Sequence, residues 1–168
     1  IYDDIIMTSD HKIKTGLSYN YIDIFQVASD SLSSNRIEHV PGAFFEYTHT
    51  GSRLTSVVGA RYDYHLLFGE QFVPRAHLKY KLTERTDLRF TGGKGWRIPN
   101  YIIDNVSLLA NSFTWIAPET IRPEVSWNVG GSVFQELDMK HSPATLTLDF
   151  YRTWFENQLV VDRENNQV

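Results

Sequence analysis

The chain has 168 residues, a formal net charge of -4 from 16 basic and 20 acidic side chains, and no cysteine. That length suits one domain with a real core; the missing cysteine excludes disulfides, thiolate metal sites and a cysteine nucleophile, and the interspersed charges leave no basic patch for nucleic acid. Aromatic residues at 14% lean toward an all-β protein with amphipathic surfaces.

Residues 1 to 10, IYDDIIMTSD, carry no assignment beyond the tail of a preceding strand. They lack the basic and apolar regions of a signal peptide, so a chain of this kind in an envelope is expected to be a mature piece or an excised fragment. From Lys12 to Phe25 the sequence alternates, with Ile13, Leu17, Tyr19, Tyr21 and Phe25 on one side and Lys12, Lys14, Ser18 and Asn20 on the other; this is a long two-faced strand. Residues 26 to 40 lose that period and collect Ser, Asp and Asn, which predicts a long surface loop. Pro41 is then placed at the start of the next strand, where Ala43, Phe45 and Tyr47 oppose Phe44, Glu46 and Thr48.

A turn at Thr50 to Ser52 returns the chain through Arg53 to Tyr64, with Val58, Ala60, Tyr62 and Tyr64 opposite Gly59, Arg61 and Asp63. After a loop at 65 to 71, Pro74, Ala76, Leu78 and Tyr80 alternate with Arg75, His77, Lys79 and Lys81. One side is apolar and the other basic. The turn TERTD leads to Leu88 and Phe90 against Arg89 and Thr91, and Lys94 then falls on the apolar parity. Either the Gly92-Gly93 pair hosts a bulge, or Lys94 snorkels at an interface beside Trp96.

Residues 98 to 123 form the longest irregular stretch and carry Tyr101, Phe113 and Trp115; loops of that length are usually functional. Two more strands follow, Val125 to Leu137 and Ala144 onward, with Arg152 as the one charge on the apolar face of the last. The count is about seven strands of up to about a dozen residues, long enough to cross a bilayer at a tilt. Long connections are expected at one end and short ones at the other. No run reaches the ~18 apolar residues of a membrane helix, a test that is blind to β-barrels, whose strands are apolar only at alternate positions.

Four strings resemble signatures of TonB-dependent outer-membrane receptors. They are Gly59-Ala60-Arg61-Tyr62-Asp63, Gly95-Trp96-Arg97-Ile98-Pro99-Asn100, Ile121-Arg122-Pro123-Glu124 followed by Ser126 and Asn128, and the ending Tyr151 to Asp162. They stand in the expected order, and the resemblance covers roughly residues 12 to 162. It implies an all-β, antiparallel up-and-down meander forming a central slice of a transmembrane β-barrel of about 22 strands. The whole chain, 1–168, would be one segment, without the plug domain, the TonB box or the C-terminal strands. It further implies an outer-membrane location in a Gram-negative bacterium, contact with lipid, and coupling to the TonB complex through the absent plug. Its role would be import of a scarce large nutrient: an iron chelate, cobalamin or a glycan. The alternative is a soluble β-sandwich that binds a ligand such as carbohydrate, its apolar parity packed against a second sheet.

In the barrel reading the polar parity lines a lumen, with Arg61, Asp63, Arg75, His77, Lys79, Lys81 and Arg89 there. The basic run either pairs with carboxylates such as Asp63 and Glu46 or steers an anionic ligand. Tyr101, Phe113 and Trp115, with Arg97, are the ligand-binding candidates; the aromatics either stack on a ligand ring or pack the loop on itself. The six histidines show no metal-ligand spacing, so no metal site and no cofactor are expected. No P-loop, G-x-S-x-G or H-E-x-x-H occurs, and Glu119 with Glu124 lacks a nucleophile, so the chain is not read as an enzyme.

Overall fold

The computed structural model describes residues 2–29, 32–108, 121–139 and 142–160. Alternating sequence becomes eight strands: β1 (Tyr2–Thr8), β2 (His11–Ser29), β3 (Leu32–Thr50), β4 (Leu54–His65), β5 (Gly69–Thr83), β6 (Thr86–Arg97), β7 (Glu124–Met139) and β8 (Ser142–Asn157). They form one antiparallel sheet in strict chain order. This is the expected up-and-down meander, extended by β1 from residues that had no assignment. The sheet is open, with β1 and β8 at its edges.

Register decides what each face is made of, because directly opposed residues point the same way. Leu17 stands opposite Ala43, Ala43 opposite Tyr62, and Tyr62 opposite Phe72. Farther along, Leu78 faces Phe90, Phe90 faces Gly131, and Gly131 faces Phe150. The apolar parities of successive strands therefore merge into one apolar face. Lys14, Glu46, Gly59 and Arg75 make a matching row on the other side, as do Lys79, Arg89, Ser132 and Asp149.

Nothing among the described residues covers the apolar face: Phe150 is 72% exposed and Phe72 56%. The sandwich alternative needs a second sheet there, and the described strands form only this one. Buried apolar residues gather instead where the chain after β6 meets the polar face, at Val40, Pro99, Ile102 and Val125.

Several local expectations are corrected. Residues 26 to 40 are not a long loop; β2 and β3 run 19 residues each and stay paired as far as Ser29 with Leu32. Cross-strand pairing supplies the ladder there, and it overrides the loop preference of Ser and Asn. The expected loop at 65 to 71 shrinks to residues 66–68 between β4 and β5, with Gly69 supplying a positive φ of 75° that side chains resist. The expected asymmetry of connections thus rests on the one segment between β6 and β7.

Pro41 lies inside β3 rather than at its start, and Pro74 lies inside β5. Pro41 pairs with Tyr19 one residue before the ladder to β4 begins at Gly42. Pro74 pairs with Ala60 one residue past the end of the ladder to β6 at Arg75. Each proline sits where one neighbour has dropped away, so its missing N–H costs no ladder bond on that side.

The glycine pair in β6 hosts no bulge against β7: the register runs without a shift from Thr86 opposite Gln135 to Arg97 opposite Glu124. Lys94 therefore stays on the apolar face, opposite Trp127. Trp96 does not accompany it, because its indole turns to the polar side, as described next.

Candidate functional site

The polar face is organised around Asp63, near the end of β4, which is 4% exposed. Arg61 Nε donates to both of its carboxylate oxygens, at 2.7 and 2.9 Å, and Trp96 Nε1 donates to Oδ2 at 3.2 Å. Arg61 also reaches across to β2, where Nη2 donates to Ser18 Oγ at 3.0 Å. A buried carboxylate is tolerable because these donors replace water. Gly42 lies opposite Asp63 in the register, and a Cβ at that position would overlap Asp63 Oδ1 and lie 3.0 Å from Ser18 Oγ. Gly42→Ala is therefore expected to push the carboxylate off its donors and cost about 1–3 kcal/mol, the usual range for overpacking. Denaturant unfolding of the variant checks this, and an unchanged midpoint would contradict the crowding.

A second buried group lies higher on the same face. His65 is fully buried, and its Nδ1 accepts the Leu67 backbone N–H at 3.1 Å. The ring proton then belongs on Nε2, 3.6 Å from Glu38 Oε2. Arg36 Nε sits 2.6 Å from Glu38 Oε1 in an ion pair held by charge rather than by a well-aligned hydrogen bond. Arg36 Nη1 donates to the Pro99 carbonyl at 3.2 Å, and the Trp96 ring meets His65 edge to face at 6.3 Å. The segment after β6 thus reaches back across the short β4–β5 hairpin to β3.

That segment is itself pinned at its root. Arg97 Nε donates to Glu124 Oε2 at 2.7 Å, and Arg97 Nη2 lies 3.2 Å from Asp104 Oδ2. Asp104 accepts the Asn100 N–H at 3.1 Å, while Asn100 Oδ1 accepts the N–H groups of Ile102 and Ile103 at 3.3 and 3.2 Å. These bonds start the short 3₁₀ segment Ile103–Leu108. The second oxygen of Glu124, a residue 6% exposed, accepts the Leu159 N–H beyond β8 at 2.9 Å. Three receptor-like strings therefore meet at one carboxylate.

The basic run is largely neutralised in place. Arg75 pairs with Glu46, Lys79 Nζ pairs with Asp87 at 2.9 Å, and His77 Nδ1 bonds Thr91 Oγ1 at 2.9 Å. Arg89 lies over the Phe134 ring, 6.0 Å from its centroid. Lys81 stands opposite Asp87 in the register. Pairing with carboxylates thus accounts for Arg61, Arg75 and Lys79. Among the ligand candidates, Arg97 is committed to Glu124 and Asp104, and Tyr101 is half-buried with its carbonyl accepting Asn105 Nδ2 at 3.1 Å. Phe113 and Trp115 lie outside the described residues.

Arg36, Glu38 and His65 were not legible as a cluster, because 26 to 40 read as loop. Glu124 had a signal in its string, yet its burial had none. Among the described residues no group of three or more potential ligands could hold a metal ion.

Residues 3–168 match the family model for the TonB dependent receptor-like β-barrel. No curated protein matches by sequence. Among solved structures, the siderophore receptor PirA from Pseudomonas aeruginosa superposes with a TM-score of 0.69 at 17% identity, over 95% of this chain and 31% of that one. A variant of the ferric enterobactin receptor PfeA from the same organism gives 0.68 at 16%, over 94% and 26%. A PfeA variant in complex with enterobactin gives 0.65 at 16%, over 94% and 26%. The present chain spans less than a third of the length of these structures. At such identities the likeness carries the fold, and the family match over nearly every residue carries the membership: the chain belongs to the β-barrel family of TonB-dependent receptors.

Proposed function

We propose that this chain is part of the wall of an outer-membrane active transporter in a Gram-negative bacterium, importing a large scarce nutrient with energy transmitted by TonB through a plug domain outside these residues. The observation that carries the reading is the sheet: an apolar face left bare across successive strands, backed by a polar, charge-paired one. Lipid satisfies the first, and closure by further strands satisfies the edge hydrogen bonds. The polar face then lines the lumen, with Arg61, Asp63, Arg75, His77, Lys79, Lys81 and Arg89 on it. The transporter binds and releases its cargo without covalent chemistry.

For the cargo we favour an iron chelate. The solved neighbours are named as receptors for a siderophore and for ferric enterobactin, and Lys81 and Arg89 leave positive charge on the polar face to attract an anionic chelate. The loop carrying Tyr101, Phe113 and Trp115 is the capture element. Arg97 positions that loop through Glu124 and Asp104 rather than meeting cargo itself.

In fractionated native cells, an antibody to this segment is expected to mark an outer-membrane band several times heavier than 19.4 kDa. A soluble band of that mass would reject the reading. In the intact receptor, the pair Tyr101→Ala and Trp115→Ala is expected to lower ferric-chelate binding about tenfold, the loss of ~1.4 kcal/mol. Unchanged binding at normal surface expression would remove the loop from the capture role.

A further inference from the structure

The apolar face carries two basic side chains where lipid tails alone would tolerate none at the bilayer centre. Lys94 on β6 stands opposite Trp127, Trp127 stands opposite Trp154 on β8, and Arg152 stands opposite Val129 one row below. Among the described residues neither Lys94 nor Arg152 has an ion pair or side-chain hydrogen bond, whereas Arg61, Arg75, Lys79 and Arg97 on the polar face are all paired. The nearby acid, Glu156, is occupied by the Trp127 indole N–H at 2.8 Å.

Their height on the sheet is the second observation. Lys94 lies about 26 Å along β6 from Thr86, and Arg152 about 33 Å along β8 from Ser142, at ~3.3 Å per residue. With the usual ~40° tilt of barrel strands, these are about 20–25 Å along the membrane normal, the far margin of an apolar band ~25 Å tall. Both cations and both tryptophans therefore lie at the interface remote from the short turns at 51–53 and 84–85, where indoles settle and basic side chains meet headgroups. Two neighbouring strand spacings and two residues of offset put the Lys94 and Arg152 Cα atoms about 12 Å apart, so the two long side chains can close on one phosphorylated headgroup from either side.

We infer that Lys94, Arg152, Trp127 and Trp154 form a lipid-binding site on the outside of the barrel, specific for the phosphate groups of an outer-leaflet lipid. The cations supply charge-assisted bonds to phosphate oxygens, and the indoles seat the headgroup at the edge of the acyl region. The site rests on the proposed barrel reading, since only that reading sets lipid against this face.

The test uses the intact receptor carrying this segment, placed in phosphatidylcholine vesicles doped with a bisphosphorylated glucosamine lipid or with the same lipid after phosphatase treatment. Retained lipid is counted by native mass spectrometry. The wild type is expected to retain the phosphorylated form at least fivefold better, and Lys94→Gln with Arg152→Gln is expected to erase that preference. Arg85→Gln, which removes a cation at the short-turn end, is expected to keep it. Equal retention of the two lipids by the wild type overturns the site, and that arm needs no variant to fold. Insertion with equal retention rejects the headgroup site alone; a receptor that does not insert at all rejects the barrel reading with it.

Discussion

Asp63→Ala is expected to lower the unfolding free energy of the intact receptor by about 2–4 kcal/mol, slightly under the range for removing one partner of a buried ion pair. The discount reflects Arg61, whose side chain is 36% exposed and recovers some hydration when its acceptor disappears. Trp96 recovers less, because its indole N–H loses its acceptor at the crowded end of β6. Asp63→Asn keeps an acceptor oxygen without the charge and should fall between. In a double-mutant cycle with Arg61→Ala, most of the loss should appear as coupling between the two sites. Urea titration of the folded receptor measures each term; a change below about 0.5 kcal/mol for Asp63→Ala, the level of ordinary surface substitutions, would show that the hub contributes little.

Glu124→Ala has a different expected signature, because its two oxygens serve two segments. One holds Arg97 at the root of the loop after β6, and the other holds the Leu159 N–H beyond β8. Losing both charge-assisted bonds from a buried position is expected to cost about 2–4 kcal/mol. Much of that should be local. Amide exchange is expected to accelerate at residues 100–104 and at Leu159, while the central ladders of β4 and β5 keep their protection. Glu124→Gln retains acceptance from Leu159 and should protect that amide alone. Exchange that rises uniformly through the sheet would mean the carboxylate supports the whole fold rather than a junction.

Strand identity and face were readable because a strand's period is two: Ile13, Leu17, Tyr19, Tyr21 and Phe25 on β2, and Pro74, Ala76, Leu78 and Tyr80 on β5, fall on the face the alternation assigns, while Ile22 and Ile24 stand opposite Glu38 and Arg36 on the polar side. Where the period fails, the reading failed. Residues 26 to 40 hold Ser33, Ser34 and Asn35, which local preference places in a loop, and only their partners across the ladder, Val27, Gln26 and Phe25, keep them extended. Trp96 broke parity for another reason. The ladder from β5 ends at Gly93, so the last residues of β6 answer to β7 alone and the indole can swing to Asp63. The string around Arg97 marked the junction without revealing its chemistry, since burial of Glu124 depends on a segment beyond β8. Phe113 and Trp115 rest on the pattern of the sequence and await the binding measurement.

The contact between Arg36 and the Pro99 carbonyl joins residues 63 apart, while every ladder in the sheet joins strands adjacent in sequence. Those ladders can zip one hairpin at a time, all but the β6–β7 pair closing a short loop at little entropic cost. The clasp cannot. It needs β3 through β6 already side by side before its partners come within reach, so it belongs among the last contacts to form and the first to release on unfolding. The rim of the sheet is thus assembled by closure over a finished wall, and a chain stalled before that step would carry correct strands with an unfastened mouth.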